Sequence, residues 1–166
     1  GLGWLLTPAT VCLAIPLYKQ LHLLKKYGAA VFASIGSGVA ASVVSIFLMC
    51  RLMGLSHVNY VTLLPKSITT AIGMGVSEEA GGIVTLTVMS IILTGVIGNV
   101  LGELVFRITG VRHPIARGLA LGTSAHAIGT AKALELGEIE GAMSSLSIAV
   151  AGLMTVIAVP IAANLI

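Results

Sequence analysis

Long stretches without a charged residue constrain this chain more than any other feature. Residues 29–50 and residues 142–166 contain no Asp, Glu, Lys or Arg. A helix of about 20 apolar residues crosses the roughly 30 Å hydrocarbon core of a bilayer. With 57% hydrophobic and 9% charged residues, the chain has too little charge to cover a soluble globule. The sequence therefore predicts a single transmembrane domain over residues 1–166, an all-α polytopic membrane protein.

The residues that are missing exclude several classes of function. The chain has no aspartate, so it cannot build a Ser-His-Asp triad, and it lacks a P-loop, an HExxH motif and an EF-hand loop. Cys12 and Cys50 lie in separate apolar segments without metal-ligand spacing. The basic residues lie in short loops, which indicates an orientation signal in a membrane and not a nucleic-acid surface. We expect neither an enzyme nor a nucleic-acid partner, and no metal or other cofactor.

Two hydrophobic segments are interrupted by Pro, Gly and polar residues. They cover residues 60–80, which include Pro65, and residues 114–141. TTAIG at residues 69–73 resembles AHAIG at residues 125–129, and each is followed by acidic residues, glycine and a long apolar stretch. Interrupted segments in corresponding places of two halves are typical of a transporter binding site near the midplane. The pattern predicts two broken or re-entrant elements and a possible inverted repeat, with chance similarity of five residues as the alternative.

Charges in the loops indicate whether the first interrupted element crosses the membrane or re-enters on the same side. The segments 19–28 and 107–117 each carry three basic residues. If both face the cytoplasm, residues 60–80 must re-enter on their own side of the membrane. A broken helix that crosses fully would place Arg107 and Arg112 outside. The charge pattern favours the re-entrant hairpin.

Polar residues recur at helical spacing in both interrupted elements, and hydroxyls beside broken helix ends can bind a small anion. The candidate substrate-binding residues are Lys66, Ser67, Thr69, Thr70, Thr123, Ser124, His126 and Thr130. Simpler interpretations exist for each type. A hydroxyl can bond to its own helix backbone, Lys66 can extend to the interface, and His126 can hold two helices together.

Other patterns predict packing and surface contacts. Small residues recur between Ser34 and Ser42 and between Gly95 and Gly102, which favours close approach of neighbouring helices. Glu103 and Arg107 have the i, i+4 spacing of a helical ion pair. The glutamates of residues 135–140 are typical of a solvated rim.

Four motifs in order along the chain resemble the LrgB/CidB family of bacterial membrane proteins, which includes the C-terminal half of the plant plastid glycolate/glycerate translocator. They are LLTPATVCLAIPLYKQL at 5–21, LLPKSITTAI at 63–72, ARGLALGTSAHAIGTAKALE at 116–135 and GAMSSLSIAVAGLMT at 141–155. Ala71 departs from the proline that the family more usually has after the threonine pair. Family members carry additional N-terminal helices, so we expect this chain to begin after them.

The resemblance implies a multi-pass protein of the plasma (inner) membrane that acts with a small membrane protein of the LrgA/CidA type. It implies two kinds of function, control of murein hydrolase activity and autolysis, and transport of small carboxylates such as pyruvate or glycolate. Our hypothesis is an elevator-like carrier of small monocarboxylates that works as a homo-oligomer, a dimer, with proton coupling through His126. The alternative is a holin/antiholin-like pore or a regulatory subunit of the LrgA/CidA-type partner.

Overall fold

Helices account for nearly all of the chain that the computed structural model describes, which is Tyr18 and residues 21–165. The helices are α1 (Leu21–Met53), α2 (His57–Leu63), α3 (Thr70–Glu79), α4 (Val84–Thr109), α5 (Pro114–Leu136) and α6 (Glu138–Ala162), followed by a short 3₁₀ turn (Ala163–Leu165). The described residues contain no β-strand. The predicted all-α class is confirmed.

Within the described residues, three segments are long and apolar enough to cross a membrane. They are Lys25–Met53, which lies in α1, Val84–Thr109, which is α4, and Glu138–Leu165, which combines α6 with the 3₁₀ turn that follows it. Each contains a long apolar stretch identified from the sequence, because an uninterrupted helix satisfies its own backbone hydrogen bonds in hydrocarbon. The predicted polytopic membrane protein is confirmed.

The first interrupted element is a helical hairpin made of α2 and α3. Thr87 Oγ1 lies 2.9 Å from the carbonyl oxygen of Thr62 and 2.6 Å from Ser77 Oγ. A methyl group built on Gly73 would lie 3.5 Å from the carbonyl oxygen of Pro65. Residues 62 and 77 therefore meet near the base, and residues 65 and 73 meet nearer the tip. We call residues 57–79 hairpin 1 and residues 64–69 its tip.

The second interrupted element, α5, also reverses direction. His126 has φ 43° and ψ −135°, and among the described residues it is the one non-glycine residue with a positive φ. A methyl group built on Gly129 would lie 2.5 Å from the carbonyl oxygen of Leu121. Residues eight apart in a straight helix are separated by about 12 Å. We call residues 114–136 hairpin 2, with arms 114–125 and 127–136 on either side of His126.

Both hairpins pack along α4 and point toward each other. Hairpin 1 meets α4 at Thr87 near its base and at Ile91 nearer its tip. Hairpin 2 meets α4 at Gly95, beside the His126 ring, and extends to Phe106 near its own base. The two tips therefore enter from opposite ends of α4 and meet near its middle. Glycines on this helix let hairpin 2 approach closely, as their spacing predicts.

Equivalent contacts in the two hairpins are separated by the same number of residues. The TTAIG and AHAIG segments differ by 125 − 69 = 56 positions. In hairpin 1, Gly73 contacts the carbonyl of Pro65. Adding 56 to both numbers gives Gly129 and Leu121, which make the same contact in hairpin 2. An inverted repeat explains this agreement: each unit consists of one hairpin and the spanning helix after it, α4 or α6.

The two ends of the molecule can be told apart by their contacts with α1. Near its beginning, Tyr27 and Ala30 border a cavity of about 220 Å³ with His113 and Ile115. Near its end, Cys50 packs with residues of hairpin 1. Residues 21–28 and 107–117 thus belong to one end, and the base of hairpin 1 belongs to the other. This is the arrangement that the hairpin interpretation of the loop charges requires.

Two surface predictions change in the structure. Glu140 was expected on a solvated rim, but it is buried, because the backbone of Glu140 packs against Gly118 and its carboxylate lies beside Gly137. Glu103 does lie 3.8 Å from Arg107, but its shorter ion pair is with Lys132, at 2.7 Å. That shorter pair joins the second arm of hairpin 2 to α4, a contact that helical spacing alone does not indicate.

Candidate functional site

A cavity of about 830 Å³ lies where the hairpin tips approach α1 and α4. Its walls are α1, the tip of hairpin 1, the middle of α4 and the first arm of hairpin 2. The wall is mostly apolar, with one cationic side chain and several hydroxyls. The polar side chains that line it are Ser34, Ser42, Ser45, Lys66, Ser67, Thr94, Thr123 and Ser124.

Lys66 is the charged side chain of this cavity. Its Nζ donates a hydrogen bond to Ser67 Oγ over 2.9 Å, and Ser67 Oγ lies 3.2 Å from Ser42 Oγ. Within the described part of the chain, no carboxylate lies within ion-pair distance of Nζ. Lys66 is half-buried on the tip of hairpin 1. The geometry leaves this cation available to an anion.

Two hydroxyls of hairpin 2 also face the cavity. Thr123 Oγ1 is buried and has no hydrogen-bond partner among the described residues. Ser124 Oγ donates to the carbonyl of Ala120 on its own helix over 2.7 Å. Thr123 therefore has unused hydrogen-bonding capacity beside the cavity, whereas Ser124 is already bonded to its own backbone.

Thr69 and Thr70 do not line the cavity. Thr69 is the N-cap of α3, with extended backbone angles, and its side chain makes no capping hydrogen bond. Thr70 is the first residue of that helix. They mark a helix N-terminus at the tip of hairpin 1, where the helix dipole favours negative charge.

His126 and Thr130 are buried behind the cavity wall. His126 Nε2 lies 2.9 Å from the carbonyl oxygen of Ile91, and since a carbonyl can only accept, Nε2 carries the proton. Thr130 Oγ1 donates to the carbonyl of His126 over 3.0 Å and lies 2.7 Å from Ser144 Oγ. These two residues join hairpin 2 to α4 and α6. Of the eight candidates, the structure brings Lys66, Ser67, Thr123 and Ser124 together at the cavity.

Sequence reasoning did not include the cavity hydroxyls of α1 and α4. Ser34 and Ser42 were expected on a packing face with Gly38. Gly38 does make a close helix contact, since a methyl group built there would lie 2.7 Å from Thr123 Cγ2. The serines on either side line the cavity instead. Their four-residue spacing was the available signal, because small polar residues serve helix packing and cavity lining equally well.

The fold and the cavity define a class: a helical membrane protein in which two opposed hairpins meet beside a polar cavity. The chain matches the model of the LrgB-like family over residues 1–165, and it belongs to that family. It is similar to the antiholin-like protein LrgB of Bacillus cereus (strain B4264) and to that of Bacillus anthracis (strain A0248). Each is 42% identical over 159 residues, which cover 96% of this chain and 69% of the relative. No solved structure matches the chain.

Proposed function

We propose that this protein is a membrane carrier of small monocarboxylates of the pyruvate and glycolate class. The observation that carries the proposal is Lys66, a half-buried cation in the cavity wall without a carboxylate partner in the described chain. Charge-assisted hydrogen bonds between an ammonium and a carboxylate are among the strong ones in proteins. A single ammonium suits a substrate with a single carboxylate.

The hydroxyls around Lys66 complete a site for such an anion. Ser67 and Ser42 extend from the ammonium as a hydrogen-bonded row, and Thr123 offers an unpaired hydroxyl from the opposite hairpin. Ser67 and Thr123 differ by 56 positions, so the two repeats contribute equivalent residues. A substrate held between the hairpins would contact both halves of the repeat.

The opposed hairpins support alternating access in an elevator-like manner. Each tip reaches the middle of α4 from its own end of the molecule, so movement of the hairpins relative to α1 would open the cavity to one side at a time. We propose that a second copy of the chain supplies the rest of the scaffold in the plasma membrane. His126 and Thr130 hold hairpin 2 in place, and the proposed binding contacts are made by the residues at the cavity.

The relatives' name, antiholin-like protein, favours a second candidate function. In that alternative the protein is a holin/antiholin-like pore, or a regulatory subunit of a small LrgA/CidA-type partner, and controls murein hydrolase activity directly. The carrier proposal accounts for the same control indirectly, because carboxylate flux would change metabolism and proton balance and hence autolysis.

The deciding experiment reconstitutes the purified full-length protein into sealed vesicles, with and without the LrgA/CidA-type partner. We expect saturable uptake of labelled pyruvate or glycolate without leakage of a larger trapped dye. Lys66→Ala should raise the half-saturating concentration at least tenfold, whereas the exposed Lys25→Ala should leave it within about twofold. Dye leakage without saturable uptake would overturn the carrier proposal in favour of a pore, and no activity without the partner would favour the regulatory subunit.

A further inference from the structure

We infer that Lys66 changes its protonation state during transport, as an ammonium when the carboxylate is bound and as a neutral amine when the site is empty. The inference rests on the proposed carrier function and assigns to Lys66 the proton that the sequence hypothesis assigned to His126. One proton would then accompany each carboxylate across the membrane.

In the described chain, the surroundings of Lys66 contain no other group that could take this role. Among the described residues that line the cavity, Lys66 is the sole titratable one. The helix α1 contributes serines, alanine and glycine, α4 contributes Thr94, Ile97 and Gly98, and the first arm of hairpin 2 contributes hydroxyl and apolar side chains. No neighbouring charge on these elements compensates the ammonium.

The absence of a compensating charge gives the two protonation states different roles. An unpaired ammonium in a low-dielectric region is unfavourable, so the empty site favours the neutral amine. A bound carboxylate supplies the missing negative charge and favours the ammonium. The loaded site and the empty site are then both neutral overall, and hairpin movement carries no net charge through the hydrocarbon.

The hydrogen bond to Ser67 is compatible with both states. Ser67 Oγ accepts from the ammonium over 2.9 Å. A hydroxyl can also donate, so the same Oγ can turn its proton toward the lone pair of a neutral amine. Ser42 Oγ, 3.2 Å from Ser67 Oγ, can exchange donor and acceptor roles in step. The row of groups thus tolerates deprotonation without leaving Lys66 Nζ unbonded.

One transport cycle of this kind moves one proton together with each carboxylate. On the loading side, the neutral amine takes one proton from water and the ammonium binds the carboxylate. On the other side, the carboxylate leaves, the ammonium returns its proton to water, and the empty neutral site moves back. The net result is transfer of one carboxylate and one proton with no net charge.

His126 is less suited to this task. It does not line the cavity, and its Nε2 proton is committed to the carbonyl of Ile91. His126→Gln keeps a donor for that carbonyl and cannot titrate near neutral pH, so it serves as the matched control.

The test uses the full-length protein in vesicles with an internal pH dye, and labelled pyruvate as the probe. In the wild type, an acidic exterior should speed uptake at least tenfold, an imposed potassium-diffusion potential should change it less than twofold, and about one proton should enter per pyruvate. His126→Gln should keep the response to the pH gradient. Lys66→Arg, which stays charged, should retain exchange of internal for external pyruvate but lose pH-driven net uptake at least tenfold.

Each outcome has a distinct meaning. Saturable wild-type uptake without proton entry, or uptake driven by the potential, would overturn the inference and leave the carrier proposal intact. Loss of proton coupling in His126→Gln, or its retention in Lys66→Arg, would overturn the assignment to Lys66. If Lys66→Arg shows no exchange because it misassembles, the wild type still shows whether a proton enters with pyruvate, and His126→Gln still shows whether His126 carries that proton. Absence of any saturable uptake or exchange in the wild type would refute the carrier proposal itself.

Discussion

His126 combines an unfavourable backbone conformation with a buried hydrogen bond. Its φ of 43° and ψ of −135° lie in a region that side-chain-bearing residues rarely adopt, at a cost of about 1–3 kcal/mol. The bond from Nε2 to the carbonyl of Ile91 offsets part of that cost. A histidine here stabilises the reversal of hairpin 2 through its side chain and not through its backbone preference.

This balance predicts an unusual order of stability. His126→Ala loses the hydrogen bond and keeps the strain, so we expect a loss of about 1–3 kcal/mol. His126→Gly loses the same bond but removes the strain, and it should be more stable than His126→Ala by about 1 kcal/mol. Thermal unfolding in detergent measures both. A glycine variant less stable than the alanine variant, as in an ordinary helix interior, would contradict the strained reversal.

Hydrogen bonds of hydroxyl side chains hold the base of hairpin 1 against α4. Thr62, Ser77 and Thr87 are buried together, and Ile83 donates its backbone N–H to Thr62 Oγ1 over 2.8 Å. Hairpin 2 uses a comparable contact between Thr130 and Ser144 against α6. Buried neutral groups of this kind satisfy the hairpin ends without placing charge in the membrane.

Thr87→Val tests the contribution of the hydroxyl contacts at the hairpin 1 base. Valine keeps the shape of threonine but leaves the carbonyl of Thr62 without its donor, so we expect a loss of about 1–3 kcal/mol. The control is Ser90→Ala, because the one hydrogen bond of Ser90 Oγ to the described residues is to the carbonyl of Thr87 on its own helix. Ser90→Ala should stay within about 0.5 kcal/mol of the wild type in the same thermal measurement. Equal stability of the two variants would show that the hydroxyl contacts are incidental.

At the scale of the whole molecule, the three spanning helices and two hairpins define which loops share a side. Residues 21–28 and 107–117, with their basic residues, lie at one end, and the base of hairpin 1 lies at the other. Positive loops remain in the cytoplasm. We therefore expect the base of hairpin 2 to face the cytoplasm and hairpin 1 to enter from the opposite side.

Labelling of single cysteines by a membrane-impermeant maleimide checks this orientation, in a chain whose Cys12 and Cys50 are replaced by alanine. Lys25→Cys and Arg112→Cys should be labelled only after the cytoplasmic side is exposed. Ser56→Cys and Glu78→Cys should be labelled in intact cells. Labelling of Ser56→Cys and Glu78→Cys from opposite sides would mean that residues 60–80 cross the membrane as a broken helix.

The sequence by itself determined the spanning helices, the interrupted elements and the family. Hydrocarbon leaves a chain few ways to satisfy its backbone, so uncharged stretches specify helices and interruptions mark where they break. Lys66 and Thr123 could also be predicted as site residues, because placing a polar side chain in the membrane costs free energy and marks a functional position.

The tertiary structure decided which polar residues meet. His126 and Thr130 lie on the same helical pattern as Thr123, yet the reversal at His126 turns them toward α4 and α6 and away from the cavity. Ser42, expected to pack, faces the cavity beside Ser67. Periodicity assigns residues to faces of a continuous helix, whereas a reversal of the chain changes which neighbour each face meets, and that depends on contacts between residues far apart in sequence.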